Sequence, residues 1–355
     1  MPTPTRTWIR KRLPRRALIM LSLAGALLLL FAGGIAFTQQ SARSGPTWRL
    51  VGLPGLLVHS IAAGPGAGSG LDLIAGAHDG VYRRGRNRAW TKVLAANDVW
   101  DVALLPDGRT ILGADNDGYV DVSRDAGQSW HRVLINPGGC YAVSAQPHHP
   151  QHLLAGASGG IYLSLDGGRH WKRRLPLHDS AGAAFIWQPG SDRTVFGGAV
   201  AGGPGGSGFV YVSRDGGQTW HVFGRHLEST GGIMSLAITG STQVYAGTMG
   251  NAVWKESAAG AFWRKRADGM PQTGDHVAGM TALPGQPSVL FAGTLGHGVF
   301  RTTDGGTHWS DISGNLLSSP NTSTVLSVVY SPLDRALFAG TTAGIYQLPI
   351  KQALK

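Results

Sequence analysis

Cysteine occurs once in the 355 residues, as Cys140, which excludes an intramolecular disulfide framework and leaves no paired thiols for a redox or zinc site. Glutamate is almost missing too, with Glu228 and Glu256 as the only two. No lysine-bearing phosphate loop follows the glycine-rich stretch 202–208, which reads as a flexible insertion. Asp115 and Asp117 in ADNDG offer alternating oxygens of the kind calcium accepts, but the full calcium-binding loop is absent and a tight turn accounts for them. His148-His149 falls in a strand-connecting turn without an obvious third ligand. Neither a metal nor a cofactor is therefore expected.

Acidic residues are absent before residue 17, where Arg6, Arg10, Lys11, Arg12, Arg15 and Arg16 stand alone. Of the net charge of +11 only +5 belongs to the rest of the chain, with 25 basic against 20 acidic residues. That balance argues against a nucleic-acid partner, which needs a concentrated basic stripe. From Ala17 to Phe37 the stretch ALIMLSLAGALLLLFAGGIAF carries no charge and is long enough to cross a hydrocarbon core of ~30 Å. The positive-inside rule then places residues 1–16 in the cytoplasm and everything after residue 38 outside it. An uncleaved signal anchor is the favoured reading, with cleavage near Gly34-Ile35-Ala36 as the alternative that would make the protein secreted. Residues 38–46 read as a linker and 351–355 as a tail.

What lies between is repetitive. Tryptophans at 48, 90, 130, 171, 220, 263 and 309 are spaced by 42, 40, 41, 49, 43 and 46 residues. A second series keeps the same period: AGAHDGVY from 75, GADNDGYV from 113, AGASGGIY from 155, AGTMGNAVW from 246, AGTLGHGVF from 292 and AGTTAGIY from 339. Its seventh member, at 197–211, is stretched by the glycine-rich insertion. A third series precedes each of these, in order VHSIAAGP, VWDVALLP, CYAVSAQP, GAAFIWQP, IMSLAITG, VAGMTALP and VLSVVYSP. Such short apolar runs ending in a turn residue suit buried inner strands. Four strands in each of seven units of ~40–50 residues make a seven-bladed β-propeller over residues 47–350. Trp48 has no repeat before it and the last repeat has no tryptophan after it, so residues 47–53 are expected to supply the outer strand of the last blade.

Every tryptophan of the series after Trp48 closes a short motif. Four are complete: Ser123-Asp125-Gly127-Trp130, Ser164-Asp166-Gly168-Trp171, Ser213-Asp215-Gly217-Trp220 and Thr302-Asp304-Gly306-Trp309. Two have decayed, RRGRNRAW from 83 and ESAAGAFW from 256, where Asn87 and Gly260 stand at the glycine position. These repeats resemble the BNR, or Asp-box, propellers. The aspartate is expected to accept backbone N–H groups, the glycine or asparagine to turn left-handed, and the tryptophan to pack between sheets. Repeated on many blades, the motif cannot form one convergent active site, so it reads as architecture.

Function is expected on the opposite face, where loops surround the channel. The candidates there are His78, Asp79, Asn97, Asp98, Asp115, Asn116, Asp117, His178, Asp179, Arg225, His226, Glu228, Asp275, His276 and His297. Sialidases also carry Asp boxes, but that resemblance implies an arginine triad, an aspartate acid and a tyrosine nucleophile partnered by glutamate. Glu256 lies in a decayed box on the wrong face, and RRLP at 173 follows a box as an ordinary outer strand. Xyloglucanase-type enzymes resemble two propellers clasping a glycan, sortilin-type receptors use a larger one for peptides, and the photosystem II assembly factor is a seven-bladed one. The expectation is a membrane-anchored, extracytoplasmic binding or assembly scaffold for a protein or glycan, with no catalytic residues. The alternative is a glycoside hydrolase using an aspartate pair on the channel face.

Overall fold

A computed structural model describes residues 45–64, 73–85, 87–201, 208–224, 227, 231–257, 262–271 and 276–355. The chain divides into a unit from Met1 to Thr38 and a compact unit from Gln39 to Lys355. The expected anchor at 17–37 and most of the linker lie outside the described residues. Among these, no helix is long and apolar enough to cross a membrane.

The compact unit is a seven-bladed propeller. Blade 1 is the antiparallel sheet Val58–Ala63, Leu73–Ala77, Gly80–Arg84 and Trp90–Ala95. Blade 2 runs from Val99–Leu104 through Ile111–Asp115 and Tyr119–Ser123 to His131–Leu134. Blades 3 and 4 share one six-stranded sheet, because Lys172–Trp187 serves as the outer strand of one and the inner strand of the other. Blades 5 and 6 begin with the inner strands Ile233–Thr239 and Val277–Ala282. Blade 7 holds Val325–Ser331, Ala336–Thr341 and Gly344–Pro349, and its fourth strand is Arg49–Gly52 from the start of the chain. The register Arg49–Gln347, Leu50–Tyr346 and Gly52–Ile345 closes the ring as expected.

The Ala-Gly repeat of the second strands has a steric cause. A Cβ on Gly76 would stand 2.8 Å from Val99 O of the next blade, and one on Gly340 only 3.0 Å from Val58 O across the closure. Blades converge at the inner end, and only glycine lets the sheets approach that closely.

The Asp boxes form one bond set four times over. The Ser or Thr hydroxyl donates to the aspartate Oδ1 at 2.8 Å and accepts the glycine N–H at 2.8–2.9 Å. The same Oδ1 accepts the N–H four residues beyond the hydroxyl's partner, at 2.9–3.0 Å. Gly127, Gly168, Gly217 and Gly306 all have φ between 86° and 93°. In the first decayed box the left-handed residue is Arg88 (φ 63°) and not Asn87. That hairpin is shorter, and Asn87 Oδ1 instead accepts the Ala89 N–H at 3.1 Å. Gly260 lies outside the described residues.

Several tryptophans tie a blade to the outer edge of its predecessor. The indole N–H groups of Trp130, Trp263 and Trp309 donate to Val93 O, Phe223 O and Arg266 O at 2.9 Å. Trp48 does the same to Ile312 O at 2.9 Å, so it acts as the tryptophan of blade 7. A buried ion pair between Arg84 of blade 1 and Asp334 of blade 7 adds a second clasp, with Arg84 lying 4.9 Å over the Phe338 ring. The C-terminal residues, read from the sequence as a tail, pack against the last blade. Ile350–Ala353 is a helical turn whose Ile350 and Ala353 are buried in the core around Trp48, and Ala353 O accepts from Arg301 at 2.9 Å.

Candidate binding site

All seven inner strands carry a bulge, at the second residue in six of them and at Ala183 in the shared strand Lys172–Trp187, where the register to the neighbouring strand skips one position. A bulge frees that residue from the ladder and re-aims its side chain. The seven bulged residues are His59, Trp100, Tyr141, Ala183, Met234, Ala278 and Leu326. They are unequal: blades 1 to 3 carry aromatic rings, blades 4 and 6 carry alanine, and blades 5 and 7 are aliphatic. The rings form a continuous arc. His59 stacks on Trp100 at 4.5 Å, and Trp100 meets Tyr141 edge-on at 5.9 Å. The Tyr141 hydroxyl donates to Gly138 O at 2.8 Å, which fixes the end of the arc.

Asp98 sits above this arc in a left-handed conformation, φ 56°, that an aspartate tolerates in a turn. Its N–H donates to His78 O at 2.8 Å and its carbonyl accepts from Asn116 at 3.1 Å, so loops of blades 1 and 2 hold it. Its Oδ1 accepts from His59 Nε2 at 2.7 Å and His78 Nδ1 at 3.0 Å. Burial pushes this carboxyl up, but the bonds and charge of His59 and then His78 outweigh it and hold it below the usual range. Beneath the arc, Asp101 accepts from Ser60 Oγ and the Val102 N–H at 2.9 Å and from the Val143 N–H at 3.0 Å, joining the inner strands of blades 1 to 3. Burial there pushes its carboxyl up to about 6 against the pull of those bonds.

The other sequence candidates spread around this face. Asp117 accepts from Asn97 at 3.0 Å beside Asp98, whereas Asp79 is engaged by Lys92 and by the Tyr82 hydroxyl at 3.0 Å. Asp115 is fully buried, its Oδ1 accepting the Tyr119 N–H at 2.9 Å and its Oδ2 paired with Arg132. The ADNDG stretch is thus a turn braced by an arginine. His276 and His297 lie in blade 6, their carbonyls accepting from Leu295 at 3.0 Å and Ser313 at 3.2 Å. The exposed His178 belongs to the long strand shared by blades 3 and 4, with its carbonyl accepting from Ser180 at 3.1 Å. Arg225, His226, Glu228 and Asp275 lie outside the described residues, as does the side chain of Asp179. Among the described candidates, only His78, Asp98, Asn97, Asn116 and Asp117 are brought together. The sequence reading missed His59, Trp100 and Tyr141 because it treated the seven inner strands as equivalent; His59 and Tyr141 are buried, 6% and 7% exposed, and Trp100 is half-buried. Aligning the seven inner strands on their first residue exposes the signal.

The BNR/Asp-box repeat model matches residues 211–222, which span the third complete box. No curated protein matches the chain. Solved structures do resemble it in fold. The GH74 xyloglucanase of Xanthomonas campestris aligns with a TM-score of 0.67 at 20% identity, over 85% of this chain and 53% of the enzyme. The present chain therefore spans about half of that protein's length. YCF48 bound to D1 peptide aligns with a TM-score of 0.64 at 14% identity, over 87% of this chain and 98% of its own. YCF48 from Cyanidioschyzon merolae aligns with a TM-score of 0.59 at 15% identity, over 85% and 98%.

Proposed function

We propose that this protein is a non-catalytic binding or assembly scaffold, held outside the cytoplasm through residues 17–37, that takes a protein or glycan ligand over blades 1 to 3. The carrying observation is the arc of His59, Trp100 and Tyr141 under Asp98. Aromatic faces with one adjacent carboxylate suit recognition, since rings supply contact area at little entropic cost and the carboxylate fixes orientation. The likeness in extent to YCF48, one propeller against one propeller, favours a peptide ligand within that class. It also fits a role like that of photosystem II assembly-factor propellers.

The alternative, a glycoside hydrolase, draws on the likeness to the xyloglucanase. Asp98, held ionised by two histidines, could serve such an enzyme as base or nucleophile but not as its acid. Full-length protein in detergent, screened on peptide and glycan arrays and assayed on xyloglucan, separates the two. A scaffold binds without turnover, and Trp100→Ala weakens binding at least ~10-fold, as for an aromatic hot spot. Turnover abolished by Asp98→Asn with binding retained would replace the scaffold reading with the enzyme.

A further inference from the structure

A histidine cluster lies on the Asp-box side between blades 3 and 4, away from the aromatic arc. The stretch His148-His149-Pro150-Gln151-His152 leads from the inner to the second strand of blade 3. Gln146 pairs with His149, yet the neighbouring pair is Ala145 with Leu153, so Pro150, Gln151 and His152 bulge out of the ladder. The bulge turns His152 beside His149, with ring centroids 5.4 Å apart and planes at 23°. The third group, invisible in the sequence, is Asp192 from the corresponding turn of blade 4. Its Oδ1 accepts from His148 Nδ1 at 2.7 Å and from the His148 N–H at 3.2 Å, and its Oδ2 lies 4.0 Å from His149 Nε2.

We propose that His149, His152 and Asp192 form a site for a divalent transition metal of the Zn2+ or Ni2+ class, clipping blade 3 to blade 4. The donor set is two imidazoles and one carboxylate, which suits those ions and not calcium or magnesium. Groups behind the donors are arranged as metal sites require. Gln146, 7% exposed, accepts from His152 Nδ1 at 2.6 Å, which leaves Nε2 with its lone pair free for an ion. Gln146 is itself anchored by donating to Asp192 O. His148 occupies one carboxylate oxygen and leaves the other to face His149. The 4.0 Å gap between His149 and Asp192 is wide for a hydrogen bond and leaves room for an ion bonded to each at about 2.0–2.2 Å. Among the described residues no three such groups already stand at ligand spacing. Binding therefore turns the His149 side chain, which is 56% exposed and free to change rotamer.

The test is calorimetric titration of the full chain in detergent with zinc chloride or nickel chloride, in buffer free of chelators. One ion per chain is expected, with a rise in melting temperature. Asp192→Asn and His152→Gln should each weaken binding about 10-fold or more, and Gln146→Leu should do so through the ring it orients. His149→Gln, at an exposed position that leaves the fold intact, should remove both the binding and the rise in melting temperature. His221→Gln, an exposed histidine on the outer strand of blade 4, should change neither. Equal titrations of the wild type and His149→Gln, or an equal loss in His221→Gln, would overturn the site.

Discussion

Removing Trp48 should open the ring. Its side chain is 2% exposed in a core with Ile312, Leu316, Val325, Leu348 and Ala353. Burial of ~200 Å2 of apolar surface at ~25 cal/mol per Å2 gives ~5 kcal/mol, an upper figure because the unfolded chain already hides part of it. Tryptophan-to-alanine changes in cores cost about 3–5 kcal/mol. The lost indole donor also leaves Ile312 O without its 2.9 Å bond, for about 1 kcal/mol more. Trp48→Ala should therefore destabilise the unit beginning at Gln39 by about 4 kcal/mol in urea titration. Leu50→Ala, on the strand that follows directly but 43% exposed, should cost less than about 1 kcal/mol. If the strand closes the ring, Trp48→Ala should also broaden the transition, since a loosened last blade unfolds ahead of the rest. Equal midpoints for the two variants would refute the shared blade.

Ser213→Ala should lower stability by about 1–3 kcal/mol, because the buried Gly217 N–H loses its 2.8 Å acceptor, without affecting ligand binding on the other face. The box aspartates Asp125 and Asp304, held down to about 2, contribute stability present above the unfolded pKa; it should be lost as pH falls from about 4 through 2, which circular dichroism can follow. For Asp125 the cause is the bonds from Ser129; for Asp304 burial acts upward first, and the bonds from His308 overcome it. Asp121 behaves oppositely: burial raises it to about 7 despite Arg132, so its contribution is full below pH ~4 and fades as pH rises through 7. Asp121→Asn should accordingly gain stability relative to wild type between pH 5 and 8, and a constant difference across that range would exclude the protonation. A reporter fused after Lys355 should be active only outside the cytoplasm if residues 17–37 are the anchor; cytoplasmic activity would sink that topology.

Much of this protein is written in its repeats. The period of the tryptophans, the Ala-Gly strands and the orphan Trp48 determined the blade count and the closure, because each blade must bury the same faces against its neighbours wherever it lies in the chain. The Asp box was legible for the same reason, since a hairpin is local and its bonds join residues two to four apart. Its decayed form was less so, and Arg88 took the left-handed place because the hairpin had shortened.

What the sequence could not decide depends on neighbours far apart in the chain. Asp98 is a loop charge on paper, and only the folded ring shows that His59, 39 residues earlier, hydrogen-bonds it. Asp115 reads as an open ligand oxygen until Arg132 is seen to cover it. His148 and Asp192 are 44 residues apart and meet because consecutive blades present equivalent turns side by side. Repetition along the chain fixed the architecture, while the differences between blades, brought into contact around the ring, decided where a ligand or an ion can be held.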